Sequence, residues 1–139
     1  MAHLVPPIAK DARGAAIVEF ALVLPLLICL LMGVLGYGQY FLLAHSVQQI
    51  ANDAARATVA GLDGDERRQL ATTSVADDVA ALGQFPADRV GTQIDETGDT
   101  VAVMVTLDAH GMAPFTTSIV PMPAPMIERR AVIRRGGLT

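Results

Sequence analysis

One apolar run constrains this chain more than any other feature. From Phe20 to Gly38 there are 19 residues without a charge, and Leu42 and Leu43 extend the run to 24 with one polar residue, Gln39. As a helix, those residues would reach roughly 36 Å, enough to cross the roughly 30 Å hydrocarbon core of a bilayer. A soluble domain could hide such a helix only inside a very large core, and 139 residues cannot build one. The run predicts a membrane-spanning helix and argues against a free-standing cytosolic enzyme.

The rest of the chain agrees. Hydrophobic residues make up 52% and charged residues 17%, with a mean hydropathy of +0.43, too apolar for a disordered tail. The net charge is −4, so no basic field exists to attract nucleic acid. The single cysteine, Cys29, lies within the apolar run and can neither staple an exported domain nor hold a metal there.

A cleaved secretory signal fits poorly. Its apolar core is usually about 7–15 residues and ends in small residues, whereas this run is longer and Ala44-His45-Ser46 makes a poor cleavage motif. Aromatic residues mark both ends of the run, Phe20 at one and Tyr37, Tyr40 and Phe41 at the other, as interfacial anchors do. Lys10 and Arg13 precede the run, and the nearest basic residue beyond it is Arg56. That asymmetry keeps the N-terminus cytoplasmic and exports the remainder.

Glu19 is the oddity. Apolar sequence begins before it, at Ala15-Ala16-Ile17-Val18, and encloses it. An ionisable group costs up to ~3 kcal/mol at the centre of a membrane helix and less near its end, unless it finds a partner. On position alone, Glu19 reads equally as a headgroup-level residue marking the helix start. Gly14 alone reads equally as a helix N-cap.

Taken together, these residues carry more information. The string Arg13-Gly14-Ala15-Ala16-Ile17-Val18-Glu19-Phe20, continuing to Pro25 and Leu27, resembles the start of the TadE-like family of tight-adherence (Flp) pilus assembly pseudopilins. The resemblance is close over residues 13 to about 62 and only patternwise beyond. It implies cutting by a prepilin peptidase between Gly14 and Ala15, with Glu19 and Phe20 serving peptidase recognition and subunit pairing. In pilin-like assemblies the glutamate five residues into the mature chain pairs with the terminal amine of a neighbour. A carboxylate and an ammonium, each costly in lipid, would then neutralise one another between chains. The implied partners are membrane lipid, the peptidase, other pilin or pseudopilin subunits and the assembly platform. The implied location is the bacterial inner membrane, with a single pass and a periplasmic or extracellular head.

The fold expected is α+β and lollipop-shaped: a leader over residues 1–14, a transmembrane helix over 15–43 and an exported head over 44–139. Val47, Ile50, Ala51, Ala54 and Thr58 share one face of a helix over 44–60, opposite Gln48, Gln49, Asn52, Asp53 and Arg56. Joined to the membrane helix without a breaker, it makes one helix of some 45 residues. Asp63 caps a second helix over 65–83, with Glu66 as capping-box partner and Leu70, Val75, Val79 and Leu82 as its apolar positions. The period then changes to two, predicting strands at 90–96 and 100–108 around the turn Thr97-Gly98-Asp99, and a third at 127–134. Residues 109–127 hold no charge and four prolines, Pro114, Pro121, Pro123 and Pro125. They predict an extended apolar loop, either packed over the sheet, the favoured reading, or a docking surface.

No enzyme is expected. His3, His45 and His110 lack metal-ligand spacing, no glycine-rich phosphate loop occurs, and adjacent Asp77 and Asp78 would point to different sides of a helix. No catalytic residue, metal, cofactor, small-molecule substrate or nucleic acid is therefore assigned. Two readings stand: the TadE-like pseudopilin, in a pilus or a related secretion system, and an uncleaved signal-anchored binding module. Gly14 and Glu19 separate them, because a plain anchor needs neither.

Overall fold

A computed structural model describes residues 12–84, 86–113, 115–116 and 120–136. Most of the leader, including Pro6, Pro7 and Lys10, lies outside the described residues, as does Pro114. The expected α+β architecture is borne out: a long N-terminal helix, a second helix and a three-stranded antiparallel sheet.

Helix α1 spans Ala12–Ala57, 46 residues with Pro25 inside it, or roughly 69 Å at 1.5 Å per residue. It ends in a 3-10 turn, Thr58–Ala60, where the Thr58 hydroxyl donates 2.6 Å to the Ala55 carbonyl. Helix α2 spans Gly64–Leu82. Its start is capped as its sequence predicts: the Asp63 carboxylate accepts from the Glu66 N–H at 2.8 Å. The Glu66 carboxylate reaches back to the Leu62 N–H at 2.7 Å, one residue beyond the usual capping-box partner. Gly83 closes α2 in the left-handed conformation at φ 57°, its N–H donating to Val79.

Strands β1 (Val90–Thr97), β2 (Thr100–Asp108) and β3 (Met126–Arg134) form an antiparallel meander in the order β1-β2-β3. Ile94 lies opposite Val103, and Val103 opposite Ala131. The strict alternation of Val101, Val103, Val105 and Leu107 puts all four on the face that α1 and α2 cover, and all four are fully buried. The α1 face formed by Val47, Ile50, Ala51, Ala54 and Thr58 is buried against them, as its spacing predicts. Alanines at 51, 54, 55 and 71 let helices and sheet approach closely, each at 3% exposure or less.

Two departures from the pattern have physical causes. The buried positions of α2 are Arg67, Ala71, Val75 and Val79, while Leu82 is exposed. Arg67 takes the inner position because the Glu96 carboxylate, on the inward face of β1, awaits it at 2.9 Å. It also donates to the Gly61 carbonyl at 3.2 Å, so a buried guanidinium is satisfied at both ends. The second departure is the loop between β2 and β3, expected over the sheet: its residues Phe115, Val120 and Pro121 meet α1 instead. An Ala109 N–H to Pro125 carbonyl bond of 2.9 Å pinches its base, and turns at Met112 and Phe115 direct it towards Tyr40. The Phe115 ring meets Tyr40 edge-on at 6.3 Å, and the Tyr37 hydroxyl donates to the Pro121 carbonyl at 3.0 Å.

Candidate processing and pairing site

The residues singled out at the N-terminus all lie on α1, which runs unbroken through Gly14, Ala15, Glu19 and Phe20. The helix places Ala15 and Glu19 four residues apart on one face, about 6 Å along the axis, with Phe20 turned by about 100°. Among the described residues, nothing lies within 4 Å of where a Cβ on Gly14 would be. Glu19 is exposed and Phe20 is 64% exposed.

The surroundings define the site's chemistry. Between Arg13 and Asp53, Glu19 is the only Asp, Glu, Lys or Arg. Its helical neighbours Ile17, Val18, Leu22 and Val23 are large, apolar and between 51% and 74% exposed. Ion pairs among the described residues join Arg56 to Asp53, Arg67 to Glu96, Arg68 to Asp65 and His110 to Asp108, and none includes Glu19. A carboxylate on an apolar helix in lipid is stable only beside a positive group or at a water-lipid boundary.

The helix itself is long and apolar enough to cross a membrane, and its most apolar stretch is not buried. No group of three His, Cys, Asp or Glu that could hold a metal occurs among the described residues. Cys29 is exposed on the same helix.

Elsewhere the titratable groups serve the head. Hydrogen bonding to Arg67 holds the Glu96 carboxyl below its ordinary range and raises the guanidinium of Arg67 in turn. Bonds from the His110 backbone and ring lower Asp108. Burial, with Asp53 and Asp77 nearby, raises Asp78. The Asp78 Oδ2 has no hydrogen-bond partner among the described residues, while Asp77 is exposed on another side of α2. Of the four arginines near the C-terminus, Arg135 is tied to the hairpin turn: its side chain donates to the Gly98 carbonyl, and its N–H to that of Asp99. Sequence reasoning missed the Arg67–Glu96 pair. A charged residue at an alternating, inward strand position was the available signal.

Compared with known proteins, residues 14–56 match the family model for TadE-like protein. The matched segment starts at the glycine of the proposed cleavage site, and the resemblance read from Arg13 to Leu27 is borne out over it. The match covers 43 of the chain's 139 residues, all of them within α1. No curated protein and no solved structure matches the chain.

Proposed function

We propose, from the TadE-like segment at residues 14–56, that this chain is a minor pseudopilin of a tight-adherence pilus or a related secretion system. It enters the bacterial inner membrane as a precursor, with residues 1–14 cytoplasmic and the α+β head exported. A prepilin peptidase cuts between Gly14 and Ala15, using Glu19 and Phe20 for recognition. The new amine of Ala15 is then offered to Glu19 of a neighbouring pilin or pseudopilin at the assembly platform.

The observation that carries this reading is Glu19. It is the sole Asp, Glu, Lys or Arg on a 39-residue stretch of chain between Arg13 and Asp53, it lies one helical turn from Ala15, and no ion pair among the described residues includes it. Pairing between subunits removes two uncompensated charges from the membrane at once. Removing either partner would strand the other.

The test is the intact mass of the membrane-extracted protein from its native cell, with and without the prepilin peptidase. Loss of residues 1–14 only when the peptidase is present supports the reading. A full-length chain in both strains overturns it and leaves the uncleaved anchored module. In the same cells, Glu19→Ala should still insert into the membrane but no longer co-purify with partner subunits. Undiminished co-purification would refute the pairing.

A further inference from the structure

Every residue of α1 from Gly14 to Met32 is exposed, and Gly33 is the first to be partly covered. What covers it is the β2–β3 loop: Val120 Cγ1 lies 3.8 Å from where a Cβ on Gly33 would be. The uncovered stretch is 19 residues, roughly 28 Å of helix, which is about one bilayer core. The head therefore begins to cover the helix where a membrane entered near Gly14 would end. Beyond that point α1 belongs to the head: Tyr37 holds Pro121, Tyr40 meets Phe115, and Leu43 and Ala44 are buried in the core.

The loop suits that level. From Ala109 to Ile127 it carries no Asp, Glu, Lys or Arg, so entry into the interface desolvates no charge. Pro121, Pro123 and Pro125 have no N–H to leave unpaired, and the Pro121 carbonyl already accepts from Tyr37. Thr116 and Pro121 are exposed and Met122 is half-buried, so part of this apolar surface faces outward beside the helix.

We propose that the β2–β3 loop is a second membrane contact of the head. Phe115, Val120, Pro121 and Met122 rest on lipid at the outer headgroup boundary, and α1 leaves the hydrocarbon core near Val34 rather than Leu43. Seating the loop there holds the head against the membrane at a set height, with Tyr37 as the interfacial ring that joins helix to loop. The inference rests on the membrane-anchored part of the proposed function and is independent of cleavage at Gly14.

The chain contains no tryptophan, so single tryptophans report cleanly. Full-length Thr116→Trp and Met122→Trp, with Val23→Trp in the helix and Gln93→Trp on the sheet, are reconstituted into vesicles of phosphatidylcholine and phosphatidylglycerol. The phosphatidylcholine is brominated either near the headgroup end of its acyl chain or near the terminal methyl. Tryptophan at 116 and 122 should be quenched several-fold more than at 93, and more by the shallow bromine than by the deep one. Tryptophan at 23 should favour the deep bromine. Loop tryptophans quenched no more than Gln93→Trp overturn the loop contact while leaving the anchor intact. Stronger quenching by the deep bromine at 116 and 122 overturns the placement at the boundary. An unquenched Val23→Trp overturns the membrane reading and the loop contact with it.

Discussion

Ile50 is the residue through which the anchoring helix becomes the core of the head. It is 1% exposed, on α1, in the cluster formed with Val47, Val101, Val103, Val105 and Leu107. Truncation to alanine removes its transfer free energy and leaves a cavity that α1, packed by both α2 and the sheet, cannot close. Such changes cost about 2–5 kcal/mol, against a total stability of about 5–15 kcal/mol for a domain. A loss near 3 kcal/mol lowers the midpoint of a domain this size by about 12–24 °C. Ile50→Val should fall between, at about 0.5–1.5 kcal/mol. The neighbouring Gln49 is exposed on the opposite side of the same helix, so Gln49→Ala should stay within about 0.5 kcal/mol of the parent. Thermal unfolding of the full chain in detergent micelles, followed by circular dichroism, reports the head, because the apolar N-terminal part of α1 keeps its internal hydrogen bonds inside the micelle. If Ile50→Ala and Gln49→Ala melt together, α1 is not the spine of the head and the packing argument fails.

Gly61 meets Arg67 closely: an added Cβ would fall 2.5 Å from Arg67 Cγ and 2.9 Å from its backbone nitrogen. Gly61→Ala should therefore cost about 1–3 kcal/mol in the same melting experiment, whereas an unchanged midpoint would show that the α1–α2 connection shifts freely. Two carboxyls act in opposite directions with pH. The raised Asp78 opposes folding when ionised, so Asp78→Asn should raise the midpoint at neutral pH, and that advantage should shrink as acid protonates the parent residue through its raised folded value. Glu96 is lowered by Arg67, so its contribution is complete above the ordinary glutamate range and is lost as pH falls through the lowered folded value. Glu96→Gln should therefore lower the midpoint at neutral pH and converge on the parent in acid. Melting curves across that range that show either variant with the reverse sign would refute the assignment.

Much of the molecule was legible in the chain itself, because its strongest signals are periodic. An apolar run too long for any core this chain could build specified a helix long and apolar enough to cross a membrane, and the continuing 3.6-residue stripe from Val47 to Thr58 specified the helix face that the head covers. Alternation at Val101, Val103, Val105 and Leu107 specified a one-sided strand, and Asp63 specified a cap. Each is a local rule, set by geometry within one element. Glu19 was also visible, as a lone charge in apolar sequence, since its cost depends on its surroundings and not on a distant contact.

What the chain alone left open was every pairing between distant elements. Arg67 takes a buried position on α2 because Glu96, 29 residues away, meets it there. The β2–β3 loop lies on α1 rather than on the sheet because Tyr37 and Pro121, 84 residues apart, are brought together by the fold. Composition described that loop as apolar and uncharged, but only the tertiary structure placed it at Gly33. A hydrogen bond or contact between distant residues exists only once the chain has brought both partners to one place, and no period within a single element encodes that meeting.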